Sequence, residues 1–169
     1  MNRITKYIKE NKLCSDIVVE IGVAEGINAH SILSNLNIKK IYLIDSYLPC
    51  FDKGKKTTRY MGLYYFAVKR LDEYKDKIIF LKYRWEDVID KIPDNIDYFY
   101  YDAMGTEKSM LECLYTFYPK IKKGGVLSSR YYDRINYPFM VDFIDDFASK
   151  HDKDLFIDFK DNYWMLIKC

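Results

Sequence analysis

The feature that most constrains the fold is a short apolar run that ends at a glycine. Residues Ile17–Ile21 read I-V-V-E-I, and Gly22 follows at once. A run so rich in β-branched residues is typical of a buried strand in a parallel sheet. Gly26 then closes a tight turn, and apolar residues continue at helical spacing through Leu36. The stretch therefore predicts a strand, a glycine-containing turn and a helix, the first half of a nucleotide-binding βαβ unit.

The turn does not have the pattern of a dinucleotide-binding site. The fingerprint G-x-G-x-x-G would need glycine at two positions where the chain has Ala24 and Ile27. Glu20 lies at the strand end, where a carboxylate would repel a pyrophosphate and attract a cation. S-adenosylmethionine carries an ammonium and a sulfonium group and no phosphate, so it suits this turn. A nicotinamide-dependent oxidoreductase is disfavoured, and a strand–turn–helix without any ligand is the structural alternative.

Two further strands are predicted to end in acidic residues. The second strand runs from Ile41 to Asp45, and the fourth from Ile96 to Asp102. A carboxylate about 20 residues after the glycine turn is where βαβ units hold ribose hydroxyls. Asp45 is therefore the foremost candidate for a binding residue. Its structural alternative is an aspartate that caps a helix or a turn.

The remaining segments alternate between helical and strand-like patterns. Helices are predicted over Arg3–Asn11, Arg59–Tyr74, Trp85–Ile92, Glu107–Tyr118 and Pro138–Lys150, and strands over Ile78–Lys82 and Val126–Ser128. Two final strands, around Leu155 and Met165, are joined by a tight Asp-Asn turn and must pair antiparallel. A chain of this order differs from the six parallel strands of a dinucleotide domain.

A basic segment follows the second predicted strand. Ser46–Thr58 is predicted to be a mobile loop that lies over the side of the site where an acceptor substrate would enter. It carries Lys53, Lys55 and Lys56, with Arg59 nearby. The cations would either steer an acidic or phosphorylated substrate toward the site or simply solvate a surface loop. Both interpretations are open at the level of sequence.

Composition restricts the class of protein. The chain has 169 residues, 49% of them hydrophobic and 31% charged, which predicts one globular domain with a substantial core. A net charge of +2 gives no general attraction to nucleic acid or anionic membrane, and no apolar run is long enough to span a bilayer. Four scattered cysteines without a C-x-x-C pair argue against a zinc or redox site, so we expect a cytoplasmic protein with reduced thiols. No sequence feature predicts an oligomeric state.

Three stretches together resemble the class I S-adenosylmethionine-dependent methyltransferases, particularly the small O-methyltransferase-like domains. They are E-I-G-V-A-E-G from Glu20, Asp45 after the second strand, and P-K-I-K-K-G-G-V-L from Pro119. The resemblance covers nearly the whole chain. It implies one α/β domain over residues 1–169, a Rossmann-like three-layer αβα sandwich. Its seven-stranded sheet would be mostly parallel, with an antiparallel last strand.

The resemblance also implies roles for residues in the turn. Glu20 and the backbone at Gly22 and Ala24 would hold the methionine end of S-adenosylmethionine, within the turn that Gly26 closes. Asp45 would bind the ribose.

Further implied contacts follow the other strands. Ser46 would lie beside the adenine, and Arg84 and Trp85 would flank it. Asp102 would lie near the amino group of the cofactor or the reaction centre, where it could orient or deprotonate the acceptor.

One departure from the family pattern concerns a metal ion. Relatives that resemble catechol O-methyltransferase carry a metal-binding acid after the fourth strand and an Asp-Asn pair after the fifth. Here the fifth strand is followed by S-R-Y-Y-D, so only the offset Asp133 could join Asp102. A divalent cation prefers several oxygen ligands. We therefore predict no metal site.

The predicted function is transfer of a methyl group from S-adenosylmethionine to an oxygen or nitrogen acceptor, with a small molecule as the expected acceptor. No aromatic and basic patch predicts nucleic-acid binding, and no segment predicts membrane association. The alternative is a catalytically degenerate module that binds S-adenosylmethionine and acts through partner recognition. The absence of a metal set and of an obvious base motif in the sequence favours that alternative.

Overall fold

The computed structural model describes residues 2–52, 55–57, 61–103, 106–151 and 154–169. The helices are α1 (Arg3–Glu10), α2 (Ile27–Asn35), α3 (Leu63–Arg70), α4 (Glu107–Phe117) and α5 (Pro138–Lys150). The strands are β1 (Ile17–Ile21), β2 (Lys40–Ile44), β3 (Cys50–Asp52), β4 (Lys55–Thr57), β5 (Ile78–Leu81), β6 (Ile96–Tyr101), β7 (Ile121–Ser129), β8 (Leu155–Asp158) and β9 (Tyr163–Ile167).

One seven-stranded sheet has the order β5-β2-β1-β6-β7-β9-β8. Strand β1 pairs in parallel with β2 on one side and β6 on the other. The last strand of the chain, β9, lies antiparallel between β7 and β8. This arrangement confirms the predicted α/β fold, including the antiparallel last strand.

Helices cover both faces of the sheet because side chains alternate along each strand. Val18 points into a core shared with α1, α2 and α3, whereas its neighbour Val19 points into a core shared with α4 and α5. The result is a three-layer αβα sandwich. Within the described ranges, no helix combines the length and apolarity needed to cross a bilayer.

The topology brings several strand ends together at one edge. From β1 the sheet continues outward through β2 and β5 in one direction and through β6 and β7 in the other. The carboxyl end of β1 is therefore a topological switch point, the place where open α/β sheets leave a crevice for a ligand.

The predicted loop Ser46–Thr58 contains more structure than expected. Strands β3 and β4 form a small antiparallel hairpin in which Phe51 pairs with Lys56. A hairpin with strands of three residues is too short to give a recognisable alternating pattern. Lys53 and Arg59 lie outside the described residues, so the steering role of the basic segment stays a prediction.

Two predicted helices were wrong in extent or type. Of the described part of the predicted helix Arg59–Tyr74, only Leu63–Arg70 is α-helical, and Asp72–Lys77 forms a 3₁₀ helix that buries no residue. The stretch Trp85–Ile92 forms two short 3₁₀ turns instead of an α-helix.

Strand β7 also starts earlier than predicted, at Ile121 instead of Val126. Ile121 pairs with Ile96, and the register shifts before Val126 pairs with Tyr98. The two glycines of the irregular segment, Gly124 and Gly125, concealed the strand in the sequence because glycine is rare in strands.

Candidate ligand-binding site

The turn after β1 comes very close to the end of β6. Gly22 has a φ of +90°, and a Cβ at this position would collide with the backbone of Asp102. The Gly22 N–H donates to the carbonyl of Ile44 at 2.9 Å, and the Asp102 N–H donates to that of Ile21 at 2.8 Å. Only glycine fits this combination of dihedral angle and space. The ends of β2, β1 and β6 are thereby tied together.

Asp45 shapes the turn. Its Oδ2 accepts hydrogen bonds from the N–H groups of Val23 and Ala24, each at 3.0 Å. Its Oδ1 accepts a third from the N–H of Tyr47 at 2.9 Å. A carboxylate has about four acceptor positions, so one position on Oδ1 is left for a ligand.

Tyr47 supports the same turn from the other side, and the sequence analysis missed it. Its ring is buried, and its hydroxyl donates to the carbonyl of Ala24 at 3.1 Å. Burial raises the pKa of Tyr47 well above its usual value, so the hydroxyl keeps its proton. Ala24 is held with a φ of 48°, which costs an L-residue about 1 kcal/mol or more.

Helix α2 starts directly after the turn. Gly26 caps the helix with a φ of +73°, and a Cβ there would approach Leu71 Cδ1 to 3.1 Å and Ala67 Cα to 3.3 Å. The guanidinium of Arg70 also bonds to the carbonyl of Glu25. Helix α3 therefore packs tightly against the start of α2 and fixes the turn from outside.

Glu20 is the most unusual group of the site. Only 1% of the residue is exposed, and its Oε1 accepts one long hydrogen bond, of 3.3 Å, from Asn28 Nδ2. Its Oε2 is buried and has no hydrogen-bond partner among the described residues. Burial above all, with the nearby charges of Asp102 and Asp45, raises the pKa of Glu20 to about 8, although the Asn28 bond opposes the shift.

Asp102 lies at the end of β6, beside Glu20. Its Oδ2 accepts hydrogen bonds from the Tyr100 hydroxyl at 3.3 Å and from Arg130 Nη1 at 3.4 Å. Burial raises the pKa of Asp102 above its usual value, and the Arg130 charge limits the rise. Arg130 directly follows β7, and its side chain is half exposed.

The other predicted site residues lie along the same edge, farther from β1. Ser46 follows Asp45, and its Oγ accepts a hydrogen bond from the Leu48 N–H at 3.4 Å. Arg84 is exposed after β5, the strand next to β2. Trp85 is half-buried, and its Nε1 donates to Ser109 Oγ of α4 at 3.4 Å, so this ring is turned toward the α4 layer.

Asn28, Tyr100 and Arg130 are the further polar residues of this edge that sequence reasoning missed. A usable signal exists for two of them. Tyr100 lies two positions before Asp102 and so shares its face of the sheet, and Arg130 follows a strand just as Asp102 does. Asn28 lies in the first turn of a helix, where asparagine is common for local reasons, and carries no such signal.

Three carboxyl groups therefore meet at the switch point, on adjacent strands: Asp45, Glu20 and Asp102. The described residues contain no group of three or more side chains that could hold a metal ion. An organic cation that donates hydrogen bonds suits this arrangement, whereas a pyrophosphate would be repelled.

No protein-family model matches the chain, and no curated protein sequence matches it significantly. Solved structures do match. An rRNA methylase from Streptococcus thermophilus has 17% identity and a TM-score of 0.68, with 98% of this chain and 94% of that chain covered. The O-methyltransferase NovP has 20% identity and a TM-score of 0.68, with 98% and 76% covered. SMU.1697c from Streptococcus mutans, solved in complex with S-adenosylhomocysteine, has 11% identity and a TM-score of 0.71, with 99% and 96% covered.

Proposed function

We propose that this chain, which has the fold of the class I S-adenosylmethionine-dependent methyltransferases, binds S-adenosylmethionine and transfers its methyl group to an oxygen or nitrogen acceptor. The observation that carries the proposal is the buried, unpartnered Oε2 of Glu20 at the switch point of the sheet. Asp45 and Asp102 add negative charge on either side. A ligand with an ammonium group would supply the missing hydrogen-bond donor and the missing positive charge.

The turn after β1 would hold the amino-acid end of the cofactor. Glu20 would accept a hydrogen bond from the ammonium group of the cofactor. The backbone at Gly22 and Ala24 would lie along its amino-acid chain. Gly26 would let α3 pack close behind this turn, because a Cβ there would approach Leu71 and Ala67.

The neighbouring strand end would hold the nucleoside. Asp45 has one acceptor position left on Oδ1, enough for one ribose hydroxyl while the carboxylate continues to hold the turn. Ser46, next in sequence, would lie beside the adenine. Arg84 and Trp85 after β5 would form its outer flank, with Trp85 contributing from the α4 side.

The chemistry is a methyl transfer. When bound, the cofactor supplies an electrophilic methyl group whose sulfonium charge disappears as the methyl leaves. Asp102 would orient the acceptor and take its proton, and a pKa above the usual aspartate value makes it a better base. Holding the acceptor in line would provide much of the acceleration.

A small molecule is the proposed acceptor. Asp45 and Asp102 place two carboxyl groups at the site, and negative charge there opposes a phosphate backbone. The net charge of the chain, +2, offers little compensation. Arg130 is half exposed beside Asp102 and could bind a polar or anionic group of such an acceptor.

The test has two stages. First, mass spectrometry of ligands carried through native purification, followed by calorimetry with S-adenosylmethionine, should detect a bound cofactor. Second, formation of S-adenosylhomocysteine should be measured with a panel of hydroxyl- and amine-bearing small molecules and, in parallel, with bulk RNA. Turnover with a small molecule that falls far more than cofactor affinity does in Asp102→Asn is the expected result.

Three results would contradict the proposal in whole or in part. Absence of cofactor binding would remove the site. Binding without turnover on any acceptor would leave a cofactor-binding module in place of an enzyme. Turnover on RNA alone would retain the methyltransferase and overturn the small-molecule acceptor.

A further inference from the structure

A chain of hydrogen bonds links Glu20 to the start of α1. Asn28 Nδ2 donates to Glu20 Oε1 at 3.3 Å, and Asn2 Nδ2 donates to Asn28 Oδ1 at 2.6 Å. Asn2 is in turn fixed, because its Oδ1 caps α1 by accepting from the Thr5 N–H at 2.7 Å. Two helices therefore hold one oxygen of Glu20 in place. The other oxygen has no partner among the described residues.

The groups that face Glu20 make this unpartnered oxygen costly. From β6 and the end of β2 it faces the carboxyls of Asp102 and Asp45. The hydroxyls of Tyr47, Tyr98 and Tyr100 also face it, and burial raises the pKa of each phenol above its usual value, so each stays neutral. The guanidinium of Arg130 is paired with Asp102.

We infer that Asn28 is the positioning residue for Glu20, and that Glu20 loses a proton to solvent when the ammonium group of the ligand binds. The inference rests on the proposed cofactor site and adds to it a proton-linked selection for ligands that carry an amino-acid group. In the step, the O–H bond of the Glu20 carboxyl breaks, the proton passes to the buffer, and the carboxylate accepts a hydrogen bond from the ammonium. The negative charge of Glu20 is therefore created only when the ammonium group binds.

The acid–base properties of the site support this order of events. With a pKa of about 8, Glu20 is protonated in the free protein at neutral pH. A cation at hydrogen-bond distance favours the ionised form. The ligand ammonium, by contrast, keeps its proton at neutral pH, because the carboxylate beside it favours the charged form. Binding at about pH 6.5 should therefore release close to one proton per ligand.

The experiment compares two ligands that share the thioadenosine part and differ at the end that Glu20 would contact. S-adenosylhomocysteine has the ammonium and carboxylate of an amino acid there, and 5′-methylthioadenosine has only a methyl group. Calorimetric titrations at about pH 6.5 in buffers of different ionisation enthalpy give the number of protons released. We expect close to one proton for S-adenosylhomocysteine and none for 5′-methylthioadenosine. The affinity for S-adenosylhomocysteine should then rise by up to about tenfold per pH unit from about pH 5.5 to 7.5, with no slope for 5′-methylthioadenosine.

Variants separate positioning from general damage to the fold. Glu20→Gln should release no proton with either ligand, and the affinities for the two ligands should no longer differ in their pH dependence. Asn28→Ala removes the bond that holds the pKa of Glu20 down, so the pH at which S-adenosylhomocysteine affinity levels off should move upward. At about pH 6.5 the affinity of Asn28→Ala for S-adenosylhomocysteine should fall by roughly tenfold, while 5′-methylthioadenosine binds as it does to the wild type. Asn35→Ala, on the same helix but bonded to the Ser31 carbonyl, is the matched control and should change neither ligand.

The outcomes distinguish this inference from the proposed function. If both ligands bind the wild type and neither releases a proton, the inference is overturned and the cofactor site stands. If Asn28→Ala weakens both ligands equally and leaves the pH dependence in place, the positioning role is overturned. If neither ligand binds, the cofactor site and the inference fall together.

Discussion

Arg130 Nη1 lies 3.4 Å from Asp102 Oδ2, although 28 positions separate the two residues in the chain. They meet because each directly follows one of two neighbouring parallel strands, in which Tyr101 pairs with Ser129. Burial drives the pKa of Asp102 upward, and the guanidinium is the first of the groups that oppose the shift. We therefore predict that Arg130→Gln raises the pKa of Asp102 further.

The measurement is a carbon-13 NMR titration of the Asp102 carboxyl in the free protein. Arg134→Gln is a matched control, because Arg134 is an exposed arginine that pairs with Asp142 and Asp145 and is not among the groups that shift the pKa of Asp102. The control should leave the Asp102 titration unchanged. An equal Asp102 pKa in wild type and Arg130→Gln would show that the contact carries no charge coupling.

Asp45→Ala should weaken S-adenosylmethionine binding far more than Lys55→Ala in the basic hairpin. The alanine would remove the proposed ribose contact, and it leaves the N–H groups of Val23 and Ala24 without their Asp45 acceptor. A hydrogen bond to a charged group is worth about 1.5–3 kcal/mol, which corresponds to a tenfold loss of affinity or more. Calorimetry checks this, and equal affinities for Asp45→Ala and wild type would remove Asp45 from the site.

Gly22→Ala should destabilise the protein by about 3 kcal/mol or more, because the methyl group would meet the Asp102 backbone and φ is +90°. Gly62→Ala is the control. A Cβ at Gly62 has no heavy atom within 4 Å, and its φ of −84° suits alanine. Urea denaturation should show a large loss for the first variant and little change for the second. Similar midpoints would mean that the turn can open away from β6.

The stability of the free protein should depend on the charge of Glu20. In the unfolded chain Glu20 has its ordinary pKa of 4.5, whereas folding raises it to about 8. Between these values the folded state holds a proton that the unfolded state lacks, so this group stabilises the fold at low pH and the contribution is lost as pH rises from about 4.5 to 8. Glu20→Gln cannot ionise, and its free energy of unfolding should exceed that of wild type by a growing margin over this range.

Urea denaturation at several pH values measures that margin, which we expect to reach a few kcal/mol at most. Glu10→Gln, at an exposed position where the carboxylate pairs with Lys6, should show no comparable trend. A constant difference between Glu20→Gln and wild type from pH 5 to 8 would mean that Glu20 is already ionised in the free protein.

Elements that carry a regular pattern of buried apolar residues were predicted from the sequence, and elements without such a pattern were missed. Strand β1 and helix α5 have their predicted bounds, Ile17–Ile21 and Pro138–Lys150, because each carries a continuous apolar pattern. The hairpin of β3 and β4 escaped detection because its strands have only three residues each. Short elements depend on tertiary contacts, which a local pattern does not contain.

The site shows the same division. The rule that ligands meet the ends of parallel strands was enough to single out Asp45 and Asp102 from the sequence. It could not reveal that Asp45 also holds the N–H of Ala24, or that Asn28 reaches Glu20 from a helix. Such contacts depend on how far a side chain extends and which backbone group it meets, and these quantities appear only in three dimensions.

The position of β9 has a consequence for the chain while it is being made. Every other strand of the large sheet precedes β9 in sequence, yet β9 lies between β7 and β8. During synthesis on the ribosome, one edge of β7 therefore stays unpaired until β9 has been made, and an unpaired edge is a template for wrong pairing. The Arg130 backbone also lacks a contact until then, because its carbonyl accepts a hydrogen bond from Trp164 Nε1 of β9 at 3.0 Å. A nascent chain can thus form the turn around Glu20 early, but the far side of the site becomes ordered only when the final strand has been synthesised.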